Sequence, residues 1–232
     1  MKKGNKKRIK FRGIIFLLLL FYLIGMLGYY VLTLPIKRII INGENLLTEQ
    51  EIIELADIDT NLPLYKLQKH KIIKNLKSNK IINDVKLTKS ILGNIKITIK
   101  ENKILFYDSS LKKLVLSNSE TIDYNEKYLG YPVLNNYVQS DIYETFIKKF
   151  SAIDVDVIKM ISEIEYSPDK YNGTIIDEER FLLRMNDGNR IYINNVNIEQ
   201  LNRYHSFTQK IEGTGVFQMD GSLGSYIFKK DK

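Results

Sequence analysis

The longest hydrophobic run in the chain covers residues 14–34, which include no charged side chain. A helix rises about 1.5 Å per residue, so about 20 apolar residues cross the hydrocarbon core of a bilayer. Tyr29 and Tyr30 lie near the far end, where amphipathic rings favour the interface, and Pro35 ends the run. The pattern predicts a transmembrane helix over residues 14–34. The alternative is a cleaved signal peptide, whose apolar region is typically about 7–15 residues long.

The distribution of charge predicts how this helix is oriented. Residues 1–13 carry seven basic side chains and no acidic one, which is +7 of the net charge of +8. Residues 37–232 carry 28 basic and 27 acidic side chains. By the positive-inside rule, we expect the basic tail in the cytoplasm and the chain from about residue 36 onward outside it. The net charge thus indicates membrane topology, and we expect no nucleic-acid partner.

After the membrane helix, the pattern predicts a small module of strands and helices. Thr48 and Glu51 have the spacing of a capping box, in which each side chain accepts a hydrogen bond from a backbone N–H at the start of a helix. Ile95, Ile97 and Ile99 alternate with polar residues, as in a half-buried strand. The predicted elements are a strand at 36–41, helices at 49–56 and about 66–79, and strands at 81–89 and 95–99.

The rest of the chain reads mainly as strands. The clearest signal is Asp187-Gly188 between two strand-like runs, because both residue types tolerate positive φ in a hairpin turn. Pro132 would break a strand ladder, so residues 131–134 are expected to form a loop. The predicted strands are 104–107, 111–117, 161–166, 180–186, 189–194, 216–219 and 225–228, and the predicted helices are 142–150, 155–161 and 197–211.

The second predicted helix of the first module is strongly basic. Its lysines are Lys66, Lys69, Lys71, Lys74 and Lys77, followed by Lys80. One interpretation is attraction to anionic lipid or to an acidic partner near the membrane. The other is a solvated face, balanced by acidic residues between positions 49 and 59.

Little in the sequence points to catalysis. There are no cysteines, and the two histidines, His70 and His205, are far apart in the sequence. His205 and Ser206 are adjacent, but neighbouring side chains on a helix point apart. Asp154 and Asp156 lack the oxygen-rich loop of a calcium site. We therefore expect no catalytic, cofactor-binding or metal-binding residue, no cofactor and no small-molecule substrate.

The β-α-α-β-β order, directly after a basic tail and one membrane helix, resembles the POTRA domain of the FtsQ/DivIB family of cell-division proteins. The matching stretches are residues 39–45, 47–53, Asn61-Leu62, Leu76 with Asn79, and the strand that ends at Glu101. The hairpin, the following helix and the terminal strands resemble the β domain of the family, with Asp220 as the nearest counterpart of an acidic residue in its penultimate strand. The resemblance covers about residues 1–228.

The resemblance implies an α+β fold. We expect a single N-terminal transmembrane helix, a β-α-α-β-β POTRA domain, and a mainly antiparallel β domain with flanking helices. The expected boundaries are a cytoplasmic tail at 1–13, the transmembrane helix at 14–34, the POTRA domain at 36–102, the β domain at 103–228 and a charged C-terminal tail at 229–232.

It also implies a non-enzymatic division scaffold. Such a single-pass protein of the plasma membrane would bind partners like FtsB/DivIC and FtsL at the septum, and help to recruit and regulate septal peptidoglycan synthesis. For partner binding we expect a site at the C-terminal sheet edge, because free backbone N–H and C=O groups at an edge can accept a partner strand. The expected residues are Ser225, Tyr226, Ile227 and Phe228.

Other interpretations stay open from the sequence. Tyr226 and Phe228 could instead close the core, with Lys229, Lys230 and Lys232 protecting the edge against self-association. A POTRA-type periplasmic chaperone or assembly protein usually has several repeats and a C-terminal barrel, which the sequence does not show. A membrane-anchored hydrolase would need convergent titratable residues, which we do not find.

Overall fold

The chain is described here by a computed structural model that covers residues 11–33, 35–59, 63–90, 93–221 and 226–231. It divides into two compact units. The first comprises residues up to Asn79 together with Asp84–Lys100, and the second comprises Lys80–Asn83 together with the chain from Glu101. The domain boundaries at 102 and 229 stay predictions.

The N-terminal helix, α1, runs from Phe11 to Leu32. Its stretch Phe11–Val31 is long and apolar enough to cross a membrane, and none of that stretch is buried within the protein. An apolar helix exposed all round is stable in lipid rather than in water. This arrangement fits a single-pass membrane protein. The helix begins three residues before the predicted segment, and Leu34 lies outside the described residues.

The first unit has the predicted β-α-α-β-β order. A single 3-10 turn, Leu64–Lys66, lies between its two helices, and the sheet order is β1-β3-β2, with β1 parallel to β3. The elements are β1 (Arg38–Asn42), α2 (Glu49–Ala56), α3 (Lys69–Lys77), β2 (Ile82–Lys89) and β3 (Asn94–Glu101).

Local signals in the sequence account for much of this unit. The predicted capping box is present, because the Thr48 hydroxyl accepts from the Glu51 N–H and the Glu51 carboxylate accepts from the Thr48 N–H. Ile95, Ile97 and Ile99 are all buried. Gly43 has a φ of 89°, and a Cβ there would lie 2.2 Å from the carbonyl oxygen of Ile99. Only glycine therefore fits where β1 turns away beside β3.

The second unit is built on one nine-stranded sheet, of order β14-β13-β12-β11-β8-β7-β4-β5-β6. Most neighbours are antiparallel, as expected, but the pairs β12–β13, β7–β8 and β4–β7 are parallel. Strands β9 and β10 form a separate hairpin. The strands are β4 (Ile104–Asp108), β5 (Lys113–Leu116), β6 (Thr121–Asp123), β7 (Val133–Leu134), β8 (Ile161–Tyr166), β9 (Asp169–Tyr171), β10 (Thr174–Asp177), β11 (Arg180–Met185), β12 (Arg190–Asn194), β13 (Gly215–Gln218) and β14 (Ile227–Lys230).

Helices flank this sheet and close its core. They are α4 (Ser140–Phe150), α5 (Val155–Ile158) and α6 (Tyr204–Thr208), the last preceded by a 3-10 segment, Ile198–Arg203. Phe146 of α4 stacks on Phe181 of β11, with ring centroids 4.1 Å apart, and on Phe150 at 5.0 Å. The contact between Phe146 and Phe181 packs α4 against the middle of the sheet.

Several sequence predictions for this unit are wrong in detail. The segment expected to be a loop before α4 contains β7, whose Leu134 pairs with strands on both sides. Pro132 lies just outside this ladder and accepts a hydrogen bond from the Tyr107 N–H through its carbonyl. The helix expected over 197–211 is a 3-10 segment followed by the short α6. The helix expected over 155–161 ends at Ile158, where the chain turns into β8.

The turn chemistry also differs from the prediction. In the hairpin of β11 and β12, only Gly188 has positive φ, at 89°, whereas Asp187 accepts a hydrogen bond from the Asn189 N–H through its carboxylate. The hairpin of β9 and β10 was not predicted. Its turn is Asn172-Gly173, in which both residues have positive φ, a signal that the sequence contained.

Candidate partner-binding edge of the sheet

The C-terminal strand β14 lies at one edge of the nine-stranded sheet. It pairs with β13 in antiparallel register, with Phe228 opposite Phe217 and Ile227 opposite Gln218. The strand begins two residues later than the predicted 225–228. Of the four predicted partner-binding residues, Ser225 lies outside the described residues, Tyr226 precedes the strand, and Ile227 and Phe228 are in it.

The two aromatic residues face the core of their own domain. The ring of Tyr226 lies 4.5 Å from that of Phe207, and the ring of Phe228 lies 4.9 Å from that of Phe217. Both remain partly exposed, whereas Ile227, between them, is 61% exposed. The geometry thus matches the core-closing interpretation of these two rings. Their role in partner binding stays a prediction.

The backbone of β14 alternates between groups that point toward β13 and groups that point away. The Asp231 N–H donates to the Thr214 carbonyl at 3.0 Å, so residues 227, 229 and 231 direct their backbone groups toward β13. In an antiparallel pair the intervening residues point outward. The N–H and C=O groups of Phe228 and Lys230 therefore face away from the sheet, and within the described part of the chain they have no partner.

A glycine lets β14 approach β13 closely. A Cβ on Gly215 would lie 2.3 Å from the carbonyl oxygen of Lys229 and 2.8 Å from the ring of Phe228. Since the first of these neighbours is backbone, the strand itself would have to move to admit a side chain. Gly215 is therefore required for the position of the edge strand.

A buried asparagine fixes the start of β13. The Asn189 side chain accepts from the Gly215 N–H at 2.9 Å and donates to the Tyr204 hydroxyl at 3.0 Å. That hydroxyl donates to Asp187 at 2.7 Å, and burial together with this carboxylate raises the pKa of Tyr204. This hydrogen-bond network connects the β11–β12 turn and α6 to β13, the strand that pairs with β14.

Ion pairs hold both ends of this edge. At the C-terminal end, the Arg190 guanidinium pairs with Asp231, the residue after β14. Near the other end, Arg180 pairs with Asp220 at 2.8 Å and with Asp169 at 3.0 Å, and it stacks on Tyr192. Asp220, which follows β13, thus anchors the edge to β11. Sequence reasoning missed this cluster because its members are distant along the chain.

The residues weighed for catalysis are not assembled into a reactive pair. Ser206 donates to the carbonyl of Arg203, while His205 forms a hydrogen bond with Gln209. His205 lines a cavity of about 330 Å³ with Asp156 and Asp187, but Asp187 is already bonded to the Tyr204 hydroxyl. Among the described residues, no three His, Asp or Glu side chains are grouped so that they could hold a metal ion.

Comparisons with known proteins agree with the fold. The family model "POTRA domain, FtsQ-type" matches residues 34–102. The cell division protein DivIB of Bacillus subtilis (strain 168) is 29% identical over 200 residues, which cover 81% of this chain and 72% of that protein. DivIB of Bacillus anthracis is 25% identical over 232 residues, which cover 97% of this chain and 85% of that protein.

A solved structure also matches part of the chain. It is the major extracytoplasmic domain of the trans isomer of DivIB from Geobacillus stearothermophilus, with 19% identity and a TM-score of 0.34. The match covers 49% of this chain and 99% of that one. The family-model match identifies residues 34–102 as similar to the FtsQ-type POTRA domain, and the similarity to DivIB proteins extends along most of the sequence.

Proposed function

We propose that this protein is a bitopic scaffold of the bacterial division complex, and not an enzyme. The relatives that it resembles are named as cell division proteins, and α1 provides the membrane anchor. In this proposal the N-terminus is cytoplasmic, the two units are extracytoplasmic, and the protein collects at the septum. The basic tail supports this orientation through the positive-inside rule.

The partners in this proposal are membrane proteins like FtsB/DivIC and FtsL, through which the scaffold helps to recruit and regulate septal peptidoglycan synthesis. The observation that carries the proposal is the open edge at β14. The outward backbone groups of Phe228 and Lys230 can pair with a strand of the partner, and exposed Ile227 offers it an apolar contact. Anchoring both proteins in one membrane raises their effective concentration.

A proline at an outward-facing position tests this proposal without breaking the sheet. Lys230→Pro removes an N–H that points away from β13, and proline is tolerated at such positions of edge strands. One interstrand hydrogen bond contributes about 1 kcal/mol, or about fivefold in affinity. The ring also obstructs an incoming strand, so we expect Lys230→Pro to weaken binding at least fivefold.

The measurement is co-purification and titration of the full-length protein with a co-expressed DivIC-like or FtsL-like partner. Lys230→Ala is the matched control, since it removes the same side chain but keeps the N–H, and it should bind as the parent does. Equal binding by the proline and alanine variants would contradict pairing at this edge. Normal septation in cells depleted of the protein would contradict the division role itself.

A further inference from the structure

The end of the first unit that lies nearest the membrane can be identified from the chain itself. Pro35 follows the end of α1 by three residues, and each residue spans at most about 3.6 Å. Pro35 forms an isolated antiparallel bridge with Pro63, and the neighbouring Lys37 N–H donates to the carbonyl of Gly93 at 2.9 Å. Pro63 and the β2–β3 turn therefore lie close to the point where the chain leaves α1.

The residues after Pro63 form the 3-10 turn Leu64–Lys66, which precedes the basic helix α3. Lys66 donates its N–H to the Pro63 carbonyl, which closes the 3-10 turn, and its ammonium group lies 5.9 Å from the ring of Tyr65. Tyr65 is 56% exposed, and Lys69 at the start of α3 is exposed. A tyrosine beside a lysine is the pair that a membrane interface favours, because the ring accepts a partly apolar medium while the ammonium stays hydrated.

The two parts of the chain that follow α1 differ in net charge. Residues 36–100 carry twelve basic and seven acidic side chains, a net charge of +5, whereas residues 101–232 have a net charge of −4. The first turn of α3 contains no acidic residue. Basic side chains there oppose the helix dipole, so helix stability does not account for them. Asp57 neutralises Lys71 at 2.8 Å, but Lys66 and Lys69 are not in any ion pair among the described residues.

We propose that this basic end, with Tyr65, Lys66 and Lys69 at its centre, binds the anionic headgroups of the membrane that α1 spans. Each lysine near an anionic surface contributes attraction that acts within a Debye length. The position of Pro63 beside the exit of α1 keeps these residues within that range. The inference rests on the membrane anchorage proposed above, but it is independent of partner binding at β14.

The absence of tryptophan from the sequence allows a clean test. Tyr65→Trp places a single fluorophore at the proposed contact in the full-length protein. It is reconstituted into vesicles of phosphatidylcholine, with or without phosphatidylglycerol, that contain a headgroup nitroxide quencher. We expect stronger quenching with the anionic lipid. Gln50→Trp, near the N-terminus of α2 and so at the opposite end of the unit, should respond to neither composition.

Two pairs of lysine-to-glutamine substitutions distinguish the effect of charge at the proposed contact from the effect of the net charge of the unit. Lys66→Gln with Lys69→Gln should lower the equilibrium constant for docking on the anionic lipid, measured from the quenching of Tyr65→Trp, about fivefold per lysine. Lys86→Gln with Lys100→Gln, two exposed lysines of β2 and β3, removes the same charge and should leave it unchanged. Equal quenching in both lipids, or equal effects of the two pairs, would overturn the proposal. Flotation with the vesicles reports anchorage separately, so a failure of anchorage is distinguishable from a failure of docking.

Discussion

The two edge strands of the nine-stranded sheet, β6 and β14, differ in whether their outward backbone groups have hydrogen-bond partners. At one edge, β6 has three residues, and the outward carbonyl of Thr121 already accepts a hydrogen bond from the Lys80 ammonium at 2.9 Å. Its last residue, Asp123, has a side chain that is 92% exposed. At the other edge, β14 keeps outward groups at Phe228 and Lys230 without a partner in the described part of the chain. The comparison indicates that one edge is protected against added strands and the other is available.

The chemistry of β14 also differs from that of β6. An exposed isoleucine, Ile227, stands beside the outward backbone groups, and its neighbours Tyr226 and Phe228 brace the strand against the core. An incoming strand would therefore find an edge that is already ordered. Because the edge strand is ordered before the partner binds, less conformational entropy is lost on binding.

We expect the largest effect on stability and partner binding from a substitution of Gly215, which lies in β13 beside β14. Gly215→Ala places a Cβ against the Lys229 carbonyl and the Phe228 ring, so β14 must move away from β13. Overpacking of this kind costs about 1–3 kcal/mol of folding free energy, and binding at this edge should be lost with it. Denaturant unfolding and partner titration measure the two effects.

Gly221→Ala is the matched control for this change, because a Cβ at Gly221 has no heavy atom within 4 Å. It should leave both stability and binding as they are in the parent. If Gly215→Ala bound its partner as well as Gly221→Ala does, the position of β14 would not matter and the comparison of the two edges would fail.

A smaller effect is expected from the ion pairs at the two edges. Asp231→Asn weakens the pair with Arg190 that holds the end of β14, and Asp123→Asn weakens the pair with Lys113 at β6. Exposed pairs contribute about 0–1 kcal/mol, so Asp231→Asn should reduce partner affinity by less than about fivefold. Asp123→Asn should not change it, and an equal loss in both variants would point to a general effect of charge.

The sequence predicted the first unit better than the second, for a physical reason. The capping of α2 by Thr48 and the alternation of Ile95, Ile97 and Ile99 are local patterns whose outcome depends little on the rest of the chain. In contrast, β7 has two residues and exists because Leu134 finds partners on β4 and β8. No periodicity can appear in so short a strand. The β9–β10 hairpin is a missed local signal, since Asn172-Gly173 marked its turn.

For the candidate site, the sequence indicated the C-terminal strand but not its register. The predicted segment 225–228 stopped before Lys229 and Lys230, which read as polar residues, whereas backbone pairing with β13 carries the strand on to Lys230. The alternation of Tyr226 and Phe228 placed both rings on one face. It could not show that this face meets Phe207 and Phe217, which come from α6 and β13.

The most direct test of the central claim is amide hydrogen exchange at both edges of the full-length protein, with and without its DivIC-like or FtsL-like partner. Binding of a strand to β14 should slow exchange of the outward amides of Phe228 and Lys230, while the outward amide of Thr121 on β6 stays unchanged. Protection at Thr121, or protection at neither edge in a complex shown to have formed, would contradict the account.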